Sequence, residues 1–272
     1  MEPAAILFLV LAISCQADNL NDYSWLDKNP ETSLESRITP PTGFSRMPQS
    51  ETKFAAWLRG MPLLAGNPNV HLFDGSLKGN QRAQAAVLDL DVGSRDLQQC
   101  ADAVIRLRAE FLWARKRDIS FNFTSGHPAR WYDWQQGKRP KIQGNRVTWV
   151  QRADPDNSYA SFRKYLNIVF AYAGTHSLQR QMEKVADPTL VQGGDVFIQG
   201  GFPGHAVLVM DVAINAAGER MFLLAQSYMP AQQMHLLRNP GSDLSPWYPA
   251  KNEGTLKTPE WTFQYTDLRR FP

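Results

Sequence analysis

The sequence predicts an α+β fold in one domain, with helices early in the chain and an antiparallel sheet late. The strongest sign of the sheet is Gly193–Met229, where apolar runs are separated by a glycine-rich turn and by Asn215–Gly218. This pattern is typical of a strand meander. Apolar residues at helical spacing in 94–116 and 157–173 indicate the helices. The helices precede the meander, so the two kinds of element are segregated along the chain.

The size and charge of the chain restrict its class. It has 272 residues, of which 43% are hydrophobic, which is ample for one well-buried core. The net charge is only +3, and neither a lysine-rich run nor a basic stripe is present. We therefore expect no nucleic-acid partner.

The N-terminus has the pattern of a targeting segment. Ala4–Ile13 is an apolar run that is too short to span a bilayer, and Cys15 follows it closely. This arrangement resembles a bacterial lipobox, which implies that residues 1–15 are a lipoprotein signal and that Cys15 carries a lipid anchor. Gln16 after the cysteine implies an outer-membrane lipoprotein facing the periplasm. An ordinary signal peptide ending near Ala17 is the alternative, and both readings export the protein.

The remaining chain divides into a tether and a body. Residues 16–42 are polar and turn-rich, as in a flexible tether, and residues 43–272 are predicted to form the single α+β domain. Periodicity predicts further elements in that domain, namely helices at Glu51–Gly60, Ser94–Lys116, Asn157–Ala173 and Ser177–Ala186, and strands at Ala85–Val92, Asp118–Thr124, Asn145–Arg152 and Gln233–Leu237. Residues 131–139 are predicted to be an aromatic and basic loop.

One cysteine lies in the best-defined helix. Leu97, Cys100 and Val104 belong to its apolar stripe, and Ser94 or Asp96 is a suitable N-cap, which would place Cys100 one turn inside. If Cys15 is lipidated or removed, Cys100 is a lone thiol in an oxidising compartment. Such a thiol is either buried and inert or retained for its chemistry.

A histidine opens the central strand of the meander. If Asn215–Gly218 is a tight turn, facing residue numbers sum to about 433, so His205 faces the segment Gln226–Tyr228. Gln226 is then the candidate to orient the ring, and a slip of one residue would substitute Ser227. Asp211 is predicted on the same face, but roughly 20 Å along the strand.

The order Cys100, His205, Gln226 resembles the papain-like cell-wall hydrolases of the NlpC/P60 and CHAP families. The resemblance rests on Gly194–Phe197, on Gly204–Val209 and on Gln226 after a hairpin. It implies a papain-like fold in which Cys100 is the nucleophile, His205 the base and acid, and Gln226 the residue that orients the imidazole. A helix start and an imidazolium both favour a thiolate. Backbone amides at the helix start, with Gln99 or Gln98, would bind the oxyanion.

Most of the chain also resembles a bacterial exported family known only as domain of unknown function 4846. That resemblance implies no activity. The stretches that carry it are Asp89–Gly93, Arg95–Asp102, Phe123–Gly126, Tyr172–Thr175, Phe202–Ala206 and Gln226–Gln232.

Two functions are consistent with these patterns. The first is an exported cell-envelope thiol hydrolase or transferase, amidase- or peptidase-like, acting on peptidoglycan or peptide. The alternative is a non-catalytic envelope lipoprotein that binds glycan or a partner protein through aromatic loops bearing Trp131, Trp134, Trp247 and Trp261. No cofactor or metal is predicted, because the remaining histidines have no partners at metal-ligand spacing.

Overall fold

The computed structural model describes residues 23–26, 32–49, 53–242 and 246–272. The predicted signal segment and Cys15 lie outside the described residues. In the described part, the helices are α1 (Leu34–Arg37), α2 (Phe54–Arg59), α3 (Cys100–Ala114), α4 (Trp131–Gln135), α5 (Tyr159–Tyr172) and α6 (Thr175–Arg180), with 3-10 turns at Pro188–Leu190 and Tyr265–Asp267.

The strands are short apart from those of the meander. They are β1 (Phe44–Arg46), β2 (Gln84–Val87), β3 (Ser120–Asn122), β4 (Pro128–Arg130), β5 (Lys138–Gln143), β6 (Arg146–Gln151), β7 (Glu183–Lys184), β8 (Val196–Gln199), β9 (His205–Asn215), β10 (Arg220–Gln226), β11 (His235–Leu237), β12 (Tyr248–Pro249), β13 (Thr255–Lys257), β14 (Thr262–Gln264) and β15 (Leu268–Arg270).

One antiparallel sheet forms the centre of the molecule. Among the described residues it has nine strands, with the order β2-β11-β10-β9-β8-β15-β7, and β1 and β12 pair with β9 and β10. The pairs β3-β4, β5-β6 and β13-β14 form separate hairpins. Helices and an antiparallel sheet are therefore both present, which confirms the predicted α+β class.

The hairpin between β9 and β10 carries a bulge. At the end nearer His205, Ala225 lies opposite Leu208 and Leu224 opposite Val209, which is the predicted register. An irregularity between Leu223 and Leu224 then shifts the other half of the ladder by one residue. Such a bulge reverses the alternation of side chains beyond it. The prediction that Asp211 shares a face with His205 is wrong for this reason, since Asp211 lies opposite Leu223.

The two faces of the sheet are buried by different layers. Helix α3 covers one face, where its Ala103, Val104 and Leu107 belong to the same apolar cluster as Leu208 of β9. The opposite face is a second cluster, formed by the alternate residues of the central strands and by the C-terminal hairpin. Its members include Val207, Val209, Phe222 and Phe263. With both faces covered, Ala206–Met210 of β9 is apolar on both faces rather than alternating.

Helix α3 begins six residues later than its predicted start. The carboxylate of Asp102 accepts the backbone N–H of Gln99 at 3.2 Å, which satisfies a donor that the helix leaves unpaired. Asp96, one of the predicted N-caps, accepts instead from the backbone N–H of Ala231 at 2.7 Å. Cys100 is therefore the first residue of the helix, not a residue one turn inside it.

Part of the segment predicted as a tether packs on the body. Leu34 in α1 is fully buried, and the hydroxyl of Tyr23 donates to the backbone oxygen of Trp57 at 2.8 Å. The indole of Trp247 donates to the backbone oxygen of Thr39, also at 2.8 Å. The folded body thus extends to residues before Gly43, because Tyr23 and Leu34 of this mostly polar stretch pack in the core.

The predicted loop at 131–139 is more ordered than its composition indicates. It forms α4 and the start of β5, and the guanidinium of Arg139 stacks 3.8 Å from the centre of the Trp134 ring. The helix predicted at Ser177–Ala186 lies instead at Thr175–Arg180. In the part of the chain that the structure describes, no helix combines the length and apolarity needed to cross a membrane.

Candidate functional site

His205 and Gln226 meet at the start of the central strands. Nε2 of His205 lies 2.9 Å from Oε1 of Gln226, and both side chains are buried. The antiparallel hairpin brings them together, because His205 begins β9 and Gln226 ends β10 at the same edge of the ladder. Of the two residues that the sequence offered, Gln226 is the one bonded to the ring.

Aromatic rings enclose the imidazole. The ring of His205 lies 4.9 Å from that of Tyr228, 5.2 Å from that of Trp261 and 5.9 Å from that of Phe263, centre to centre. Burial among these rings disfavours the charged form and lowers the pKa of His205 from 6.5 to about 4, although Gln226 and Glu260 act in the opposite direction. His205 is therefore a neutral imidazole at pH 7.

Cys100 lies at the first position of α3 and is buried. Desolvation, with the neighbouring Asp102 carboxyl, raises the pKa of its thiol from 9.0 to about 11. The backbone amides of Ala101, Ala206 and Cys100 act in the opposite direction but do not compensate. The thiolate that a helix start and an imidazolium would favour is thus not the resting form, because burial dominates.

The thiol and the imidazole approach the start of β9 from different sides. The amide of Ala206 that acts on the thiol belongs to the residue directly after His205. However, alternation along β9 places His205 on the face of Val207, whereas α3 covers the face of Ala206. Among the described hydrogen bonds, none joins Cys100 to His205. The thiol thus lies close to the β9 backbone beside His205, but the two side chains are not hydrogen-bonded to each other.

The other predicted site residues have structural partners. The amide of Gln98 donates to the backbone oxygen of Asp91 at 3.1 Å and accepts from Arg106 at 3.0 Å. Gln99 donates to Asp96 at 3.0 Å. The hydroxyl of Ser227 donates to the backbone oxygen of Gln98 at 2.8 Å, so Ser227 fastens the helix start to the sheet rather than facing the imidazole.

A family match covers this whole region. The sequence model of a family described as domain of unknown function 4846 matches residues 34–270. The chain belongs to that family. Cys100, His205 and Gln226 all lie within the 4846 domain, and its match begins at the first residue of α1. No curated protein and no solved structure matches the chain significantly.

Sequence reasoning missed the polar residues behind Gln226. The amide of Gln226 donates from Nε2 to Oε2 of Glu260 at 2.7 Å, and Lys78 lies 2.5 Å from the other carboxylate oxygen. Lys78 and Glu260 are 182 residues apart and lie in turn-rich stretches without periodicity. These two residues differ from surface charges because Lys78 is buried and Glu260 is partly buried. The sequence gives no sign of burial in segments without periodicity.

The described residues of the 4846 domain include no group of three or more histidine, cysteine, aspartate or glutamate side chains that could hold a metal ion. His235 is buried, and its Nδ1 pairs with the backbone oxygen of Gln233 at 2.9 Å. The prominent surface grooves lie away from Cys100 and His205. Access to the imidazole therefore depends on the partly buried rings of Tyr228 and Trp261, which contact it.

Proposed function

We propose that this protein is an exported cell-envelope thiol hydrolase or transferase of papain-like architecture that acts on peptide or amide bonds. The observation that carries the proposal is the bond of His205 to Gln226 directly beside a helix whose first residue is Cys100. A nucleophile, a base and a residue that orients the base are the three parts that thiol acyl transfer requires. His205 and Gln226 are bonded at the sheet edge, and the amide of Ala206, next to His205, acts on the thiol of Cys100 from the other face, so the proposal requires the thiol and the imidazole to approach each other.

The proposed reaction begins with the neutral pair. The sulfur of Cys100 attacks the carbonyl carbon of the substrate, a C–S bond forms, and the thiol proton passes to Nδ1 of His205. The tetrahedral adduct collapses, the C–N bond breaks, and the amine leaves with the proton from His205. Water then attacks the thioester, or an acceptor amine does so in a transferase, and the thiol is restored.

The helix start supplies the oxyanion donors in this proposal. The amides of Cys100 and Ala101 lie at the sulfur and act on it, and backbone N–H groups at a helix start are suited to a developing oxyanion. Gln98 is occupied by Arg106 and by the backbone of Asp91, so its side chain is not used. Gln99 remains the side-chain candidate, since its recorded partner is the single carboxylate of Asp96.

Opening of the site is part of the proposed mechanism. Cys100 is only 7% exposed and His205 only 1%, so a substrate carbonyl cannot reach the sulfur until a cover moves. The rings of Tyr228 and Trp261 are that cover, because they contact the imidazole while remaining partly exposed themselves. Substrate binding would displace them and bring the thiol and Nδ1 together.

The envelope location comes from the N-terminal sequence. The apolar run before Cys15 and the polar residues after it support export and a lipid anchor. Peptidoglycan and its peptides are the amide substrates that an outer-membrane protein facing the periplasm meets in quantity. We propose them as the substrate class.

The test is capture of the acyl-enzyme. The purified protein is incubated with soluble peptidoglycan fragments, and separately with p-nitrophenyl acetate. Intact-mass analysis then locates any acyl group, and chromatography with mass spectrometry identifies cleaved fragments. We expect acylation of Cys100 and new fragment termini, both lost in Cys100→Ala and reduced at least about 100-fold in His205→Phe, because the base is removed.

The control for this experiment is Ser161→Ala, which removes a buried hydroxyl in α5 that accepts from the indole of Trp134 at 3.1 Å. The proposal is abandoned if neither substrate acylates Cys100 in the native protein, or if His205→Phe acylates at the native rate.

A second function is favoured by a different surface. A groove of about 740 Å³ lies between the end of α3 and α4, and Trp113, Tyr132, Lys116, Arg117 and Arg130 contribute to its walls. The ring of Tyr132 is 62% exposed, as in aromatic platforms for sugars. Trp131, Trp134 and Trp247 are buried instead. A non-catalytic module that binds glycan would use this groove, so Tyr132→Ala should then weaken binding to peptidoglycan while Cys100→Ala does not.

A further inference from the structure

The side-chain amide of Gln226 is held from two sides. Its Oε1 lies 2.9 Å from Nε2 of His205, and its Nε2 donates to Oε2 of Glu260 at 2.7 Å. The second carboxylate oxygen accepts from Nζ of Lys78 at 2.5 Å and from the amide of Asn80 at 3.3 Å. A continuous chain of hydrogen bonds thus runs from Lys78 through Glu260 and Gln226 to the imidazole.

We propose that the Lys78–Glu260 ion pair is a positioning device that fixes the orientation of Gln226 and, through it, the protonated nitrogen of His205. An ionised carboxylate can only accept hydrogen bonds, so the nitrogen end of the Gln226 amide must face Glu260. The oxygen end must then face His205. Because that oxygen also only accepts, Nε2 of His205 carries the proton and Nδ1 keeps its lone pair.

The direction of this chain of hydrogen bonds matters because the Gln226 amide can rotate by about 180° and exchange its oxygen and nitrogen. Without an acceptor at Glu260, the Gln226 amide has two comparable orientations, and the turned one presents N–H groups to His205. Nε2 would then become the acceptor, the proton would move to Nδ1, and no base would remain there. Orientation of the amide therefore decides whether Nδ1 can accept the thiol proton.

Lys78 holds the carboxylate of Glu260 opposite the Gln226 amide. The lysine is 5% exposed and the glutamate side chain 14%, so the ion pair is largely shielded from solvent. Nζ of Lys78 also donates to the backbone oxygen of Asn80 at 2.8 Å, which places the ammonium.

Packing fixes the imidazole, which is the other end of the chain of hydrogen bonds. Tyr228, Trp261 and Phe263 surround the ring of His205, so the ring cannot flip and exchange the positions of Nδ1 and Nε2. Neither Lys78 nor Glu260 has a recorded contact with Cys100. They are positioning residues, and the inference rests on the proposed function only for its catalytic consequence.

The decisive experiment reads the tautomer directly. Nitrogen chemical shifts of the His205 ring are recorded at pH 7 in the native protein and in the double variant Lys78→Met with Glu260→Leu. Replacing both members of a buried ion pair with apolar residues is usually tolerated, whereas removing one member leaves an unpaired charge. We expect the native ring to be protonated at Nε2 and the double variant to show a mixture with the Nδ1-protonated form.

The conservative variant Glu260→Gln is the matched control. Its side-chain oxygen can still accept from Gln226, so we expect the native tautomer to be retained to a large extent. Acylation of Cys100 should fall roughly 10- to 100-fold in the double variant and much less in Glu260→Gln, since a wrong tautomer cannot take the proton. If that double variant does not fold, Lys78→Met with Glu260→Met also removes both charges and the acceptor, and it gives the same readout.

Two outcomes overturn the inference. One is a folded variant without an acceptor at position 260 whose His205 ring remains protonated at Nε2 alone, and the other is a native ring protonated at Nδ1. Absence of acylation in the native protein would remove the hydrolase proposal instead. A tautomer that depends on Glu260 would support the positioning device even then, so the two failures are distinguishable.

Discussion

Strand β9 carries two buried polar side chains with different surroundings. The carboxylate of Asp211 has partners at both oxygens, since it accepts from Arg46 at 2.7 Å, from Arg59 at 2.8 Å and from the backbone N–H of Val212 at 2.9 Å. His205, at the start of the same strand, has one recorded hydrogen bond, from one ring nitrogen. The bulge between them places the two side chains on opposite faces of the sheet.

The difference separates a structural polar group from a candidate for chemistry. A buried charge is tolerated when it is paired and hydrogen-bonded, and Asp211 joins two arginines from the N-terminal part of the chain to the sheet. His205 keeps a lone pair that no described hydrogen bond uses, next to a helix that begins with a thiol. Burial of an unused lone pair costs stability, and such costs are common at functional sites.

The largest expected effect tests the Asp211 site. Asp211→Ala leaves the cations of Arg46 and Arg59 without a counter-ion in a partly buried place, so we expect the free energy of unfolding to fall by about 3–5 kcal/mol. Urea denaturation followed by circular dichroism measures it. Asp74→Ala is the control, because the Asp74 carboxylate is exposed and accepts from the backbone N–H and the hydroxyl of Ser76. Equal losses in the two variants would contradict the structural role of Asp211.

The second prediction concerns pH and His205. Burial lowers its pKa from 6.5 to about 4, so between these values the unfolded chain binds a proton that the folded protein does not. Stability should therefore fall as pH decreases from about 6.5 to about 4, by up to roughly 3 kcal/mol from this ring. His235 is shifted in the same direction, also to about 4.

The measurement compares urea stability of the native protein and of His205→Phe across this pH window. The variant should keep only the part of the slope that His235 and the carboxyl groups supply. Identical slopes in the two proteins would show that His205 is charged or solvated in the folded state.

The smallest expected effect is at the thiol. A pKa raised to about 11 means that the thiolate fraction at pH 8 is roughly 100-fold lower than for a thiol with its ordinary pKa. Alkylation of Cys100 by iodoacetamide should therefore be slow in the folded protein and rise towards pH 11, as measured by intact mass. A midpoint below pH 8 would instead indicate an activated thiolate and an open site.

Local patterns were sufficient for much of the fold. The apolar runs around Asn215–Gly218 predicted the central hairpin and its register near His205, because side-chain alternation and a tight turn fix which residues face each other. Helix α5 and strand β6 were also placed within two residues of their bounds. The predicted start of α3 was wrong because neither proposed cap is used: Asp96 bonds Ala231 across the molecule, and the helix begins after Gln99 instead.

The sequence by itself determined the α+β class, the central hairpin and the fact that His205 faces the segment Gln226–Tyr228, because these depend on short-range periodicity and on one turn. The structure was needed to show that Gln226, and not Ser227, bonds the ring. Only the tertiary structure decided that Cys100 is the first residue of its helix and that burial opposes ionisation of its thiol. It also decided that Glu260, paired with Lys78, accepts a hydrogen bond from Gln226. Burial and desolvation depend on which distant segments cover a residue. Residues 78 and 260 meet only because both turn-rich stretches pack at the same edge of the sheet.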